Sequence, residues 1–127
     1  TISGSTFGPI LSNTISGSLI NSSGDVVAFQ SSDERLKDNL THILNPIEKV
    51  KQINGYEFDW NDKQDIYKGH DVAVIAQEVE KIMPELVRNN SNGYKAVKYE
   101  KLVPLLIESI KDQQKQIDEL KKKLEEL

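Results

Sequence analysis

The sequence predicts an α+β protein: a small domain of helices and antiparallel strands with a long C-terminal helix, preceded by a β-rich fibrous stem end. Three observations predict it. Residues 1–31 are rich in Ser, Gly, Thr and Asn, with Asp25 their only charge. After that break the chain is charged, and its apolar residues concentrate at 43–60, 72–87 and 96–110. From Pro104 to the end, the apolar residues fall on a heptad.

Within the first stretch, Thr1-Ile2-Ser3-Gly4-Ser5 is echoed by Thr14-Ile15-Ser16-Gly17-Ser18. Small polar residues alternating with Ile, Leu, Val and Phe suit short strands and turns of a β-solenoid or fibre stem. The same composition also suits a flexible Ser/Gly linker. A chain that opens without Met on such a stretch reads as the C-terminal piece of something longer.

Residues 32–53 read as a helical start, a break, and a second short helix. Arg35, Leu36, Asn39, Leu40 and Ile43 give the stripe of the first, and Asn45-Pro46 separates the two. Asn54-Gly55 marks a tight turn, and Tyr56-Glu57-Phe58-Asp59-Trp60 alternates aromatic with acidic residues as a half-buried strand does. The stretch Asp71–Ile82 starts strand-like, turns helical and stops before Pro84. A turn over Asn89–Gly93 leads into a second alternating segment, Tyr94–Tyr99, expected to pair with 56–60 in one small antiparallel sheet.

The terminal helix carries a positions at Ile110, Ile117 and Leu124, and d positions at Leu106, Gln113, Leu120 and Leu127. About three heptads are enough for a coiled coil. At ~1.5 Å per residue the helix from Pro104 would be roughly 36 Å long. Gln114, Lys121, Lys122 and Glu126 leave only a narrow seam, which suits helix pairing better than folding back on the domain. Ile at a with Leu at d leans towards dimers, whereas Gln113 at d can line the axis of a wider bundle.

Composition limits the function classes. With 127 residues and a 37% hydrophobic fraction, one modest domain is expected, its core marginal for a monomer. A net charge of −4 lacks the basic face of a nucleic-acid binder. No run of 18 apolar residues exists to cross a membrane, so neither partner is expected. There is no cysteine, and His42 and His70 are too few and too isolated for a metal site, so no cofactor is expected.

The hexapeptide Ser32-Asp33-Glu34-Arg35-Leu36-Lys37, at the composition break, is the stretch that can carry chemistry. A serine hydroxyl needs a base, and a nearby lysine serves once neutral, through burial or neighbouring positive charge. Arg35 could supply that charge, and Asp33 and Glu34 would oppose it. The bond on offer is Ser31–Ser32, and the outcome is an ester resolved by water or direct hydrolysis. The five-residue offset is not a same-face helical spacing, although a turn entering a helix can return the lysine stem to Ser32. The plainer reading is a capping box, with Ser31 followed three residues later by Glu34, opening a short helix.

Ser-Asp-Glu-Arg-Leu-Lys-Asp-Asn-Leu at 32–40 resembles the opening of the peptidase S74 family, the C-terminal intramolecular chaperone domains of phage tail spikes, tail fibres and neck appendages. Three further blocks match in order: Asn45-Pro46-Ile47 through Trp60, Gly69-His70 through Val87, and Tyr99–Leu106. Together they cover roughly residues 30–115. The resemblance implies a trimeric coiled coil within 103–127 and a division into a stem end, 1–31, and a chaperone domain, 32–127. It implies Ser32 as nucleophile and Lys37 as base of a self-cleaving, single-turnover serine endopeptidase, with Asp33, Arg35 and Asn39 shaping the site. The partners implied are two further copies and the upstream stem. The stem would go to the virion tail appendage, and the chaperone domain would be released in the host cytoplasm. The alternative is a trimerisation foot that never cuts and stays in an adhesive fibre.

Overall fold

A computed structural model describes residues 13–17 and 19–127. The chain divides into two units, Thr1–Asp38 and Asn39–Leu127. In the first, residues 13–17 and 19–33 form neither helix nor strand. Ser22 makes a local turn: its hydroxyl donates to the Gly24 carbonyl at 3.1 Å and accepts from the Gly24 N–H at 3.2 Å. The expected β-rich stem end also includes residues 1–12 and 18, and the first half of the Thr-Ile-Ser-Gly-Ser echo; these lie outside the described residues. A single 3-10 turn, Glu34–Leu36, follows.

The expected helical stripe over Arg35–Ile43 does not form. Asn39 and Asn45 have φ of 56° and 50°, left-handed conformations that end a right-handed helix and that Asn tolerates. Leu36, Leu40 and Leu44 consequently stay exposed. The cap differs from expectation too. Asp33, not Ser31, closes the turn, its carboxylate accepting the Arg35 N–H at 2.8 Å. A carboxylate two residues before the free N–H reaches it as an Asx turn does.

The second unit begins with α1 (Pro46–Val50), where Pro46 occupies the first turn, a position whose N–H would have no partner. Strand β1 (Tyr56–Asp59) pairs antiparallel with β2 (His70–Ala73), Asp59 opposite His70 and Tyr56 opposite Ala73. Helix α2 (Ala76–Ile82) follows, and Pro84 opens a 3-10 turn to Leu86. Strands β3 (Val87–Asn89) and β4 (Lys95–Val97) form a second antiparallel pair. Gly93, at φ 87°, turns that hairpin in a conformation that side chains resist. A 3-10 turn, Tyr99–Lys101, leads into α3 (Leu102–Glu125). Pro104 lies in its first turn and costs no helical hydrogen bond.

The α+β class therefore holds, with one correction. The alternating segments 56–60 and 94–99 do not pair with each other. Each pairs with its sequence neighbour, giving two separate two-stranded sheets. Alternation marks a strand but not its partner, and the shorter connection favours the nearer one.

Among the described residues the apolar core consists of Val79, Leu86 and Leu105, each no more than 2% exposed. Helix α3 packs on α1. Its inward positions, Leu102, Leu105, Glu108, Ser109 and Asp112, follow the 3-4 spacing of one helix face. The buried Ser109 hydroxyl is satisfied by donating to the Leu105 carbonyl at 2.8 Å. The face one residue further round carries the expected seam in water, with Ile117 46% and Leu124 67% exposed. Leu105→Ala should lower stability by about 2–5 kcal/mol in denaturant titration, because α1 cannot close the cavity left behind.

Candidate functional site

The turn at 33–37 follows from one carboxylate. Besides capping the Arg35 N–H, Asp33 takes a two-pronged ion pair from the same residue's guanidinium. Arg35 Nε donates to Oδ1 at 3.1 Å and a terminal nitrogen donates to Oδ2 at 2.8 Å. These hydrogen bonds, the guanidinium's first, hold the Asp33 carboxyl below its ordinary range, and Lys37 nearby adds to the effect. With the turn fixed, the Leu36 and Lys37 N–H groups donate to the Asp33 and Glu34 carbonyls, both at 3.1 Å. The chain then leaves extended at Lys37.

This geometry returns the lysine stem to the serine. Lys37 Nζ donates to Ser32 Oγ at 2.7 Å across the five-residue offset. Residues 31–40 are all exposed. Arg35, the charge that could have acted on Lys37, is committed to Asp33. Of the supporting residues, Asp33 and Arg35 meet each other, and Asn39 supplies the left-handed bend after the turn.

Two ties in the second unit were not legible in the sequence. Glu78, on the first turn of α2, receives the Tyr56 hydroxyl at 2.8 Å and both the side-chain and backbone N–H of Asn54 at 2.9 and 3.2 Å. Those bonds, Tyr56's first, lower the Glu78 carboxyl, while the hydrogen bond to Glu78 above all raises the Tyr56 phenol. Glu108, half-buried on α3, meets His42 Nδ1 at 2.6 Å and Lys111 at 3.4 Å. His42 above all holds that carboxyl below its usual range. A pair 66 residues apart has no local signature.

Residues 32–88 match the family model described as chaperone of endosialidase, peptidase S74. The chain carries a domain of this family. The match begins at Ser32, so the chaperone segment opens on the Ser32–Lys37 contact and runs through β1, β2 and α2 into β3. The chain is also similar to the long tail fiber protein Gp37 of Salmonella phage S16, 35% identical over 104 residues, covering 76% of this chain and 14% of that protein. The corresponding protein of Enterobacteria phage K3 is 33% identical over 101 residues, covering 73% of this chain and 8% of that protein. This chain thus spans a small fraction of the length of these relatives. Similarity to them extends beyond the chaperone segment itself.

The Asp33 fork generates a pH expectation. A carboxyl lowered by folding contributes stability above its unfolded pKa and loses it as pH falls through the lowered folded value. The Arg35 Nε resonance should therefore shift in acid with a midpoint below the ordinary Asp range, and Asp33→Ala should abolish the shift.

Proposed function

We propose that this chain is the C-terminal assembly element of a phage tail fibre. Its copies trimerise through α3 and template the upstream stem. Residues 32–127 are then released by a cut between Ser31 and Ser32. The observation that carries the cutting reading is the 2.7 Å contact between Lys37 Nζ and Ser32 Oγ at the first residue of the family match. The similarity to long tail fiber proteins supports the fibre setting.

In this reading neutral Lys37 takes the Ser32 hydroxyl proton as Oγ attacks the Ser31 carbonyl carbon. The new C–O bond replaces the Ser31–Ser32 C–N bond, and the proton passes to the departing Ser32 nitrogen. Water then hydrolyses the ester, freeing the Ser31 carboxylate and the Ser32 hydroxyl. The lysine must be neutral for the first step, and an exposed ammonium is the wrong starting state. Cover from neighbouring copies is the remaining source of desolvation. The cut would then wait for assembly, which is the order a folding template needs. A stem built from interchain contacts folds slowly because chain closure precedes the packing that rewards it. Linking three copies raises the effective concentration of its strands, and cutting afterwards leaves the product kinetically trapped.

The same exposure, with Arg35 neutralised by Asp33, favours one second reading: a trimerisation foot that stays attached. Expression with the authentic upstream stem, followed by mass spectrometry, separates the two. The cutting reading expects a fragment beginning at Ser32, absent in Ser32→Ala and Lys37→Ala. Lys37→Arg should be equally inert, since a guanidinium keeps the charge but does not act as base. A wild-type chain that assembles and stays intact would establish the foot.

Assembly has its own test. Light scattering on the chain should give a trimer mass. Ile117→Asp should dissociate it, because a desolvated, unpaired carboxylate at an a position costs several kcal/mol, and should suppress the cut with it.

A further inference from the structure

Strands β1 and β2 are joined by a ten-residue loop, 60–69, whose order is built largely from side chains. Gln64 uses its whole amide: Nε2 donates to the Asn61 and Tyr67 carbonyls, and Oε1 accepts from the Ile66 and Tyr67 N–H groups. Tyr67 stacks on Trp60 with ring centres 4.8 Å apart, and Trp60 meets Phe58 edge-on at 4.9 Å. Trp60 Nε1 donates to Asp71 at 3.0 Å. The loop presents Ile66 and Tyr67 to solvent, about half exposed.

At the mouth of this loop, both nitrogens of one imidazole face carboxylates across the strand pair. His70 Nδ1 lies 3.0 Å from Asp59, its direct cross-strand partner. Nε2 lies 3.2 Å from Glu57, two residues back on the same face of β1. A neutral imidazole has one N–H and one lone pair, so it can donate to only one carboxylate; the other would face the lone pair. Only the imidazolium satisfies both. The remaining charged group acting on the ring, Asp71 of its own strand, is also acidic.

We propose that His70 is a pH-sensitive clasp that pins β1 to β2 at the mouth of the 60–69 loop by donating to Asp59 and Glu57 together. This device is independent of any cut at Ser32. The carboxylates, Asp59's first, raise the His70 pKa above its ordinary value. A group raised by folding contributes stability fully below its unfolded pKa and loses it as pH rises through the folded one. The clasp is therefore closed in mild acid, opens as pH rises through the raised folded pKa, and loosens the loop that displays Ile66 and Tyr67.

The molecule carries its own reporter, since Trp60 is its single tryptophan and bonds the residue next to His70. On the full chain, the His70 ring signal, assigned by its loss in His70→Gln, should titrate in NMR above the ordinary histidine value of ~6.5. Trp60 emission should change with the same midpoint in the wild type and stay flat through that range in His70→Gln. The double variant Glu57→Gln/Asp59→Asn keeps the ring and should move its midpoint down towards the ordinary value; this arm decides if His70→Gln does not fold. A wild-type midpoint at or below the ordinary value, an unmoved midpoint in the double variant, or the same Trp60 transition in His70→Gln would each overturn the clasp.

Discussion

The rest of this structure depends on how little apolar surface one chain can bury. Val79, Leu86 and Leu105 are enclosed, while Leu106, Ile110, Ile117, Leu120 and Leu124 stand 46–67% exposed along one face of α3. Fully burying one such side chain stabilises by roughly 1.5–3 kcal/mol, so the uncovered seam holds more potential stabilisation than the covered core. An exposed seam of this kind fits the pairing of α3 with other copies proposed above. It also explains why α3 is two-faced at its start. Leu105 and Ser109 hold it to its own domain, and the seam one residue further round is left exposed.

The second constraint is local charge pairing. At 33–37 a single carboxylate both shapes the turn and neutralises the arginine beside it, bringing Ser32 and Lys37 together without desolvating either. Proximity and activation are thus separate problems in this fold. The hexapeptide solves the first by itself. The second would need cover over the exposed Ser32 and Lys37 side chains, which in the reading proposed above comes from neighbouring copies. In that reading the cut comes late, after assembly.

The limits of sequence reading follow from the same physics. The C-terminal helix was legible because its signal repeats over three heptads, and the strand-to-helix change at 71–82 because the period itself changes. The Asn89–Gly93 turn was legible because Gly93 needs a positive φ. Strand partnership was not legible: alternation in Tyr56–Trp60 and Tyr94–Tyr99 marks a strand but not its partner, and each segment found a nearer mate. The stripe at Arg35–Ile43 misled because Asn39 leaves the helical region, a choice that costs Asn little and that spacing does not record. At the candidate site, the Ser32–Lys37 approach was legible as a turn. The cap was misassigned to Ser31 because Asp33, a stronger acceptor two residues closer to the turn, completes the loop with Arg35 from both backbone and side chain.

Long-range polar pairs were the least legible of all, and they tie the domain together where apolar packing is thin. His42 reaches Glu108 across 66 residues, Glu78 joins α2 to the residues entering β1, and His70 bridges two carboxylates of the facing strand. In a domain with a large core such exposed pairs would contribute little, since water competes for each partner. Here few buried contacts hold the hairpins down, so the same pairs govern local opening more than global stability. A small domain with this division of labour holds its long helix through Leu105 and Ser109 and ties its hairpins by polar pairs at their edges.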